Sequence, residues 1–437
     1  MKKMRKTALF LLAVLAIQLC SCASDGGTAV ANAVTQADEQ TTAPVTQSEE
    51  ERLIAALPEV DYQGEEFIII AVDDSQSLGT VSFCREEQNG DVFNDFIYNR
   101  NRQIEERYNI TIGEYRTGSV LSDVKKTVTA GSDDYDMISD WIMNIVSSAP
   151  DGLYYDLYDI DALDLSNPWW NQSCIAPLTI ADHLFAAFSD MNTQPLDRLA
   201  AIFFNQDIVN ALDLSSPYEA AMDGSWTMEL FLSMCKEAAA DTDGDGTRSQ
   251  GDRFGFVVGV GSYPIWMNAA GQPLVKSDGN DMILNYGTAE GIRAAEKIAE
   301  IINDKSFTVY LNEESWGSER FNSGNSLFSE GTIGKLNQYR DLEFNLGILP
   351  IPKLNEEQDQ YYSMMSNNDM GVSFPTTASD ISRSAVIAEA LGAYSYKSLH
   401  EVYYEIALQD KLTRDEYSPK MLDIIIGSNV LSVKKIN

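Results

Sequence analysis

Five residues in one short stretch have the types and spacing of a calcium site. Asp241, Asp243 and Asp245 alternate, Gly246 follows, and Asp252 closes a twelve-residue span. Calcium takes six to eight oxygen ligands, and an EF-hand loop supplies them from fixed positions along twelve residues. Asp241, Asp243 and Asp245 stand at positions one, three and five, Thr247 offers its backbone carbonyl at seven, and Asp252 closes the loop. That last carboxylate is shorter than the usual bidentate glutamate. A solvated acidic turn is the alternative. Sensing does not follow, because calcium sensors pair two helix-loop-helix units and open an apolar groove. Here one loop precedes a strand-like segment, so a structural Ca2+ joining helix to strand is expected.

Elsewhere the chain offers little catalytic equipment. Its 437 residues include only two histidines, His183 and His400, which disfavours histidine-based zinc sites and general bases. Carboxylates are the exception: with 66 Asp and Glu, counting alone leaves room for a catalytic acid pair. The net charge of −35 repels phosphate backbones, which argues against a nucleic-acid partner. Cys84, Cys174 and Cys235 lie far apart with no CxxC spacing, so they suggest neither a metal nor a redox motif. They permit at most one disulfide, and free buried thiols are the equal alternative. An apolar content of 44% over this length predicts two or three globular domains.

Those domains follow a processed N-terminus. Lys2, Lys3, Arg5 and Lys6 precede an apolar run over 8–19, too short for a bilayer core of ~30 Å and suited to a signal peptide. The run ends in Leu19-Cys20-Ser21-Cys22, which resembles the lipobox of bacterial lipoproteins. Cys22 fits as the lipidated residue, because Ser21 is small while Leu19, before Cys20, is not. A plain secretory signal is the alternative. A signal peptide over 1–22 and a flexible tether over 23–60 are expected, with the chain held by lipid on the outer face of the cell membrane.

From Glu66 short apolar runs alternate with helical periods. Segments 67–72, 109–112 and 135–139 read as strands, separated by helices over 91–108 and 120–130. This order implies a parallel sheet covered by helices, with ligands at the carboxyl ends of its strands. Asp140 and Trp141 directly follow the third strand, so position makes them candidates for ligand contact. A second unit begins after Asn192, with strands over 199–204 and 254–258 and a helix from Met228 to about Ala240. A further helix over 288–303 carries Ile292, Ala295, Ile298 and Ile302 on one side. Segments 346–350 and 370–374 read as strands, and 383–396 and 401–411 as helices.

In order, these segments resemble the family 1 extracellular solute-binding proteins of bacterial ABC importers, which include maltose- and oligosaccharide-binding proteins. The resemblance covers roughly residues 60 to 425. It rests on the lipobox, VFNDFIYNRNRQIEERYNI over 92–110, Asn167-Pro168-Trp169-Trp170-Asn171, Phe204-Asn205-Gln206-Asp207 and Trp226-Thr227. The acidic loop before a Gly-Phe strand, Phe321-Asn322-Ser323-Gly324 and the segment 346–353 add to it. The implied fold is α/β, two-lobed and periplasmic-binding-protein-like (type II), each lobe a mostly parallel sheet flanked by helices, with the ligand cleft at the hinge. Lobe one would hold 61–192 and 362–412, lobe two 193–361 and 413–437. The family usually continues beyond the equivalent of Leu422-Asp423-Ile424-Ile425 with further helices, so the short basic tail here is expected to reflect a truncated C-terminus.

The resemblance implies a monomeric, non-enzymatic, lipid-anchored protein that captures a carbohydrate, foremost an oligosaccharide, and presents it to ABC permease subunits. A non-sugar solute, a sensory receptor role and, further off, an extracellular glycoside hydrolase are the alternatives. Sugars combine apolar faces with hydroxyl rims, so flat aromatics beside amides or carboxylates are the residues sought. Asp140 and Trp141 match the family's ligand-contacting strand end. Tyr263 and Trp266 match a segment that supplies a stacking aromatic from lobe two, with a core position the equal alternative for Trp266. Asn337 and Asn368 complete the candidate set. Trp169 and Trp170 read as packing beneath the cleft.

Overall fold

The structure is a computed structural model that describes residues 48–73, 82–192, 194–278, 281–285, 287–311, 319–339, 341–365, 369–399, 401–403, 415–431 and 433–435. The expected signal peptide, Cys22, Asn368 and most of the expected helix over 401–411 lie outside the described residues.

The first sheet begins with β1 (Glu65–Val72), buried without interruption from Ile69 to Val72. A continuous apolar run, lacking alternation, is what a strand covered on both faces requires. The helix Val92–Tyr108 starts on Asp91, whose carboxylate accepts the Asn94 N–H, and stops at left-handed Asn109. The chain turns there directly into β2 (Ile110–Thr117), parallel to β1 along its whole length. The helix Val120–Ala130 then leads to β3 (Met137–Trp141), which pairs in parallel with the other side of β1.

The chain leaves this lobe after Asn192 and enters β4 (Ala200–Asn205) past Arg198. There follow the helix Met228–Ala238, β5 (Phe254–Val258), a hairpin of β6 (Val275–Asp278) and β7 (Asp281–Leu284), and the helix Ala289–Asn303. Then come β8 (Thr308–Tyr310), β9 (Ser326–Thr332) and β10 (Leu346–Leu349), giving a second sheet in the order β10-β4-β9-β5-β8. The return to lobe one includes β11 (Ser363–Met365) and Asp369, and β12 (Met370–Ser373) pairs with β3, so the first sheet reads β12-β3-β1-β2. β12 is antiparallel to β3, and β4 is antiparallel to both its neighbours. These are the strands on which the chain enters a lobe from a crossing, beside the ends of their neighbours, so they run the opposite way. The first sheet is mostly parallel, whereas the second divides evenly between parallel and antiparallel pairs. Near the C-terminus the helix Ser418–Gly427 buries Met421, Leu422 and Ile425. β13 (Asn429–Leu431) and β14 (Val433–Lys435) pair with β11 and β6.

Each lobe has its own core. Phe67, Ile69, Trp169, Trp170 and Leu391 pack on one face of the first sheet, and Ile70, Val124, Ile138 and Ile145 on the other. Trp170 donates its indole N–H to buried Glu389 at 3.0 Å. Trp169 lies so close to the helix Ile381–Ala393 that a Cβ on Gly392 would stand 2.3 Å from its ring, so only glycine fits there. Lobe two is centred on Phe204, Trp226, Phe231, Phe256, Trp266 and Phe328. The helix Ala289–Asn303 buries Ala294, Ile298, Ile301 and Ile302 and leaves Ile292 48% exposed, so its apolar face is rotated from the one expected. Cys84, Cys174 and Cys235 are all free thiols. Among the described residues no helix is long and apolar enough to cross a membrane.

Candidate ligand-binding cleft

Except in β4 and β12, the carboxyl ends of the strands in both sheets lie beside the crossings. Met370, where the chain re-enters lobe one, pairs with Trp141 at the end of β3; Ala200, where it enters lobe two, pairs with Thr332 at the end of β9. Trp141 is the last residue of β3 and half-buried, with part of its ring packed on the lobe-one core. Over that ring, 6.0 Å from its centroid, lies the guanidinium of Arg198 from the outgoing crossing. The Arg198 Nε is 2.8 Å from the Asp369 Oδ1, and Asp369, from the return crossing, is fully buried. The Asp369 carbonyl in turn accepts the Ile142 N–H at 2.9 Å, one residue past Trp141. Two crossings and one strand end therefore meet around a single indole.

Asp140 is beside this cluster but turned inward. It is 1% exposed, and its carboxylate accepts the Trp141 N–H at 2.7 Å and the Asn144 amide at 3.1 Å. Burial pushes its carboxyl up to about 6, against the pull of these donors. Asp140 ties β3 to the short helix Ile142–Ser148, and its enclosed carboxylate is not presented to a ligand.

The facing edge of lobe two is built around a different acid. Buried Glu330, on β9, accepts the Ser262 hydroxyl at 2.5 Å and the Trp266 indole N–H at 2.6 Å. Burial raises its pKa, and those two hydrogen bonds oppose the rise. Trp266 is fully enclosed, with its ring edge-on to Phe231 and Phe256, so it occupies a core position and offers no open stacking face. The reason is helical geometry: Trp266 sits inside the helix Tyr263–Ala269, whose inner face rests on the sheet. Tyr263, first in that helix, is half-buried and accepts the Asn303 amide on its hydroxyl at 3.2 Å. Asn337 lies in the 3-10 turn Ile333–Gln338, with its side chain outside the described residues.

Of the sequence candidates, Trp141 lies at this meeting point; Arg198, Asp369 and Glu330 were not among them. A usable signal existed for the first two. Each is a charged residue just before a strand, at a point where the chain was expected to change lobes.

The acidic loop lies apart from this site, between the helix Met228–Ala238 and β5. Its neck is closed by reciprocal backbone hydrogen bonds between Ala240 and Arg253. Oxygens of Asp241, Asp243 and Asp252 come within 4.8 Å of one another, a spacing that suits one cation. A Cβ on Gly251 would sit 2.0 Å from an Asp243 oxygen, so glycine is what lets that carboxylate approach. Backbone N–H groups of Gly246 and Gly244 hold the Asp241 carboxyl below its usual range. Asp245 stands outside the cluster and accepts the Thr247 N–H. A cavity of about 260 Å³ adjoins the loop; another of about 470 Å³, lined by Phe204, Tyr218, Asp415 and Tyr417, opens at the end of β4 remote from the crossings.

No family model matches the chain, and no curated protein matches it by sequence. Solved structures do. UspC of M. tuberculosis is similar over 85% of this chain and 90% of its own, with a TM-score of 0.56 and 13% identity. A cyclo/maltodextrin-binding protein complexed with maltotetraose is similar over 84% and 86%, with a TM-score of 0.55 and 11% identity. An ABC substrate-binding protein from Listeria monocytogenes, in complex with cycloalternan, is similar over 86% and 89%, with a TM-score of 0.51 and 12% identity. The chain has the two-lobed, periplasmic-binding-protein-like α/β fold that these proteins share.

Proposed function

We propose that this chain is an extracellular solute-binding protein, anchored by lipid at Cys22, that closes its lobes on an oligosaccharide and hands it to ABC permease subunits. The observation that carries the reading is the meeting of Trp141 with both crossings, because it puts an aromatic surface where lobe closure would trap a ligand. The oligosaccharides bound by the Listeria and maltodextrin-binding proteins support the ligand class. No covalent step is assigned. The buried acids Asp140 and Glu330 are each occupied by donors from their own lobe, and buried Asp369 faces Arg198, as purely structural carboxylates would.

Titrating the purified protein with maltotetraose, a cycloalternan and monosaccharides, with product analysis, tests this. Saturable binding of an oligosaccharide without turnover is expected. Failure of every saccharide to bind, or release of shorter sugars, overturns it. For the anchor, replacing Cys22 with alanine should abolish acyl labelling and release the protein from the membrane fraction.

We further propose that Ca2+ occupies the acidic loop through Asp241, Asp243 and Asp252, with Asp245 and the Thr247 carbonyl as the other sequence candidates. There it would staple the helix Met228–Ala238 to β5. Distance from the cleft predicts a role in stability and none in ligand choice.

A further inference from the structure

Resting on that cleft reading, we infer that Arg198 is a positioning residue: it holds the Trp141 indole as a fixed platform, and Asp369 holds Arg198, so both crossings set the platform's orientation. Trp141 differs from the other described tryptophans. Trp169, Trp170, Trp226 and Trp266 are each at most 2% exposed, whereas Trp141 is only partly buried. Its covered side faces a guanidinium, which is planar and delocalised and can stack on an indole while its edge pairs with a carboxylate. Arg198 reaches both groups: its Cζ lies over the Trp141 ring, 6.0 Å from the centroid, and its Nε is in ionic contact with Asp369 at 2.8 Å. A lysine ammonium is a compact point charge and cannot match both geometries at once.

The pair is also locked by its own energetics. Asp369 is fully buried, so separating it from Arg198 would take a cation away from a carboxylate held out of water. Arg198 belongs to the outgoing crossing and Asp369 to the return crossing, while Trp141 belongs to β3. Hinge closure changes backbone angles in crossing segments. The platform and the hinge therefore share one set of contacts: the ring is presented when both crossings are seated. The ligand surface that fits is flat and apolar, such as one face of a pyranose.

The test needs no ligand. The share of tryptophan emission due to Trp141 is obtained by subtracting the Trp141→Phe counterpart of each protein, in the full chain, and its quenching by acrylamide is measured. Arg198→Met and Asp369→Asn should each raise that quenching by about two- to five-fold, the scale of an exposed cation–π contact. The double variant should go no further than either single one, and Arg198→Lys should recover less than half of the protection. Unchanged Trp141 quenching in folded Arg198→Met, or effects that multiply in the double variant, overturns the inference. The buried tryptophans report folding: if Arg198→Met exposes them, the size-conserving Asp369→Asn and Arg198→Lys decide instead, and unchanged quenching in both overturns the inference. If wild-type protein fails to bind maltotetraose, the cleft reading falls while the quenching result stands, so the two fail separately.

Discussion

The two cleft edges answer the same problem in opposite ways. In lobe one a tryptophan at a strand end is left partly exposed and braced by Arg198 and Asp369. In lobe two the corresponding tryptophan is sealed inside and spends its N–H on Glu330. Both segments carry a tryptophan at or after the end of a strand, so sequence position alone does not separate them. The difference is the element on which each stands. Trp141 stands at the carboxyl end of a strand, whereas Trp266 lies in the middle of a seven-residue helix and points its ring into the core.

The largest effect that could break this contrast is on stability. Trp266→Ala removes a fully enclosed ring from between Phe231 and Phe256 and strips a donor from buried Glu330. Removing a buried aromatic costs about 3–5 kcal/mol. Chemical denaturation should show a loss of that size with an unchanged slope. A loss near zero would mean that Trp266 is not a core residue and that the two edges are alike.

The next effect is the pH dependence of the lobe-one edge. Asp140 has its carboxyl pushed up to about 6 from 3.8 by burial. A folded pKa above the unfolded one gives stability that is full below about pH 3.8 and is lost as pH rises through about 6. The shift corresponds to roughly 3 kcal/mol at most. Asp140→Asn lacks this titration, so between pH 4 and 7 it should gain on the wild type by up to roughly that amount. Comparing the two proteins cancels the rest of the acidic chain. A constant stability difference between them across that range would show that Asp140 titrates normally and sits in water.

How far the sequence could be read follows the same division between local and non-local information. β1 and the helix Val92–Tyr108 were legible because an uninterrupted apolar run, the Asp91 cap and the Asn109 stop are local signals, while only the Ile110-Thr111-Ile112 start of β2 was. β9 was hidden: Ser326–Thr332 mixes serine, glutamate and glycine with two apolar residues, and becomes a central strand only because β4 and β5 flank it. The even mix of directions in the second sheet was hidden too, since it depends on where the chain crosses between lobes. Trp141 could be read from its place after a strand. Arg198 and Asp369 come together from positions 171 residues apart, and no local pattern announces that pairing.

A smaller effect concerns the acidic loop, which should be indifferent to both edges. A ligand that binds only the folded state stabilises it by about 1–3 kcal/mol when present at ten to a hundred times its Kd. Calcium should raise the melting temperature accordingly. Asp243→Asn should blunt that rise, and Asp245→Asn, outside the oxygen cluster, should blunt it less. Equal losses in both variants would show that the three clustered carboxylates are not the ones that matter. A change in sugar preference on chelation would tie the loop to the cleft after all.

The smallest stability effect carries the most functional weight. Trp141 is half-buried, so Trp141→Ala should cost only about 1 kcal/mol in denaturation, well below Trp266→Ala. Its effect on binding should run the other way. Losing a stacking platform should weaken oligosaccharide affinity by about tenfold or more, or roughly 1.4 kcal/mol. Calorimetric titration of both variants with the best-binding saccharide, beside their unfolding midpoints, puts the comparison in one experiment. Trp141→Ala should lose affinity at nearly constant stability, and Trp266→Ala should lose stability first. If both lose the two properties in the same proportion, exposure of the indole is not what divides the edges, and Arg198 has no platform to hold.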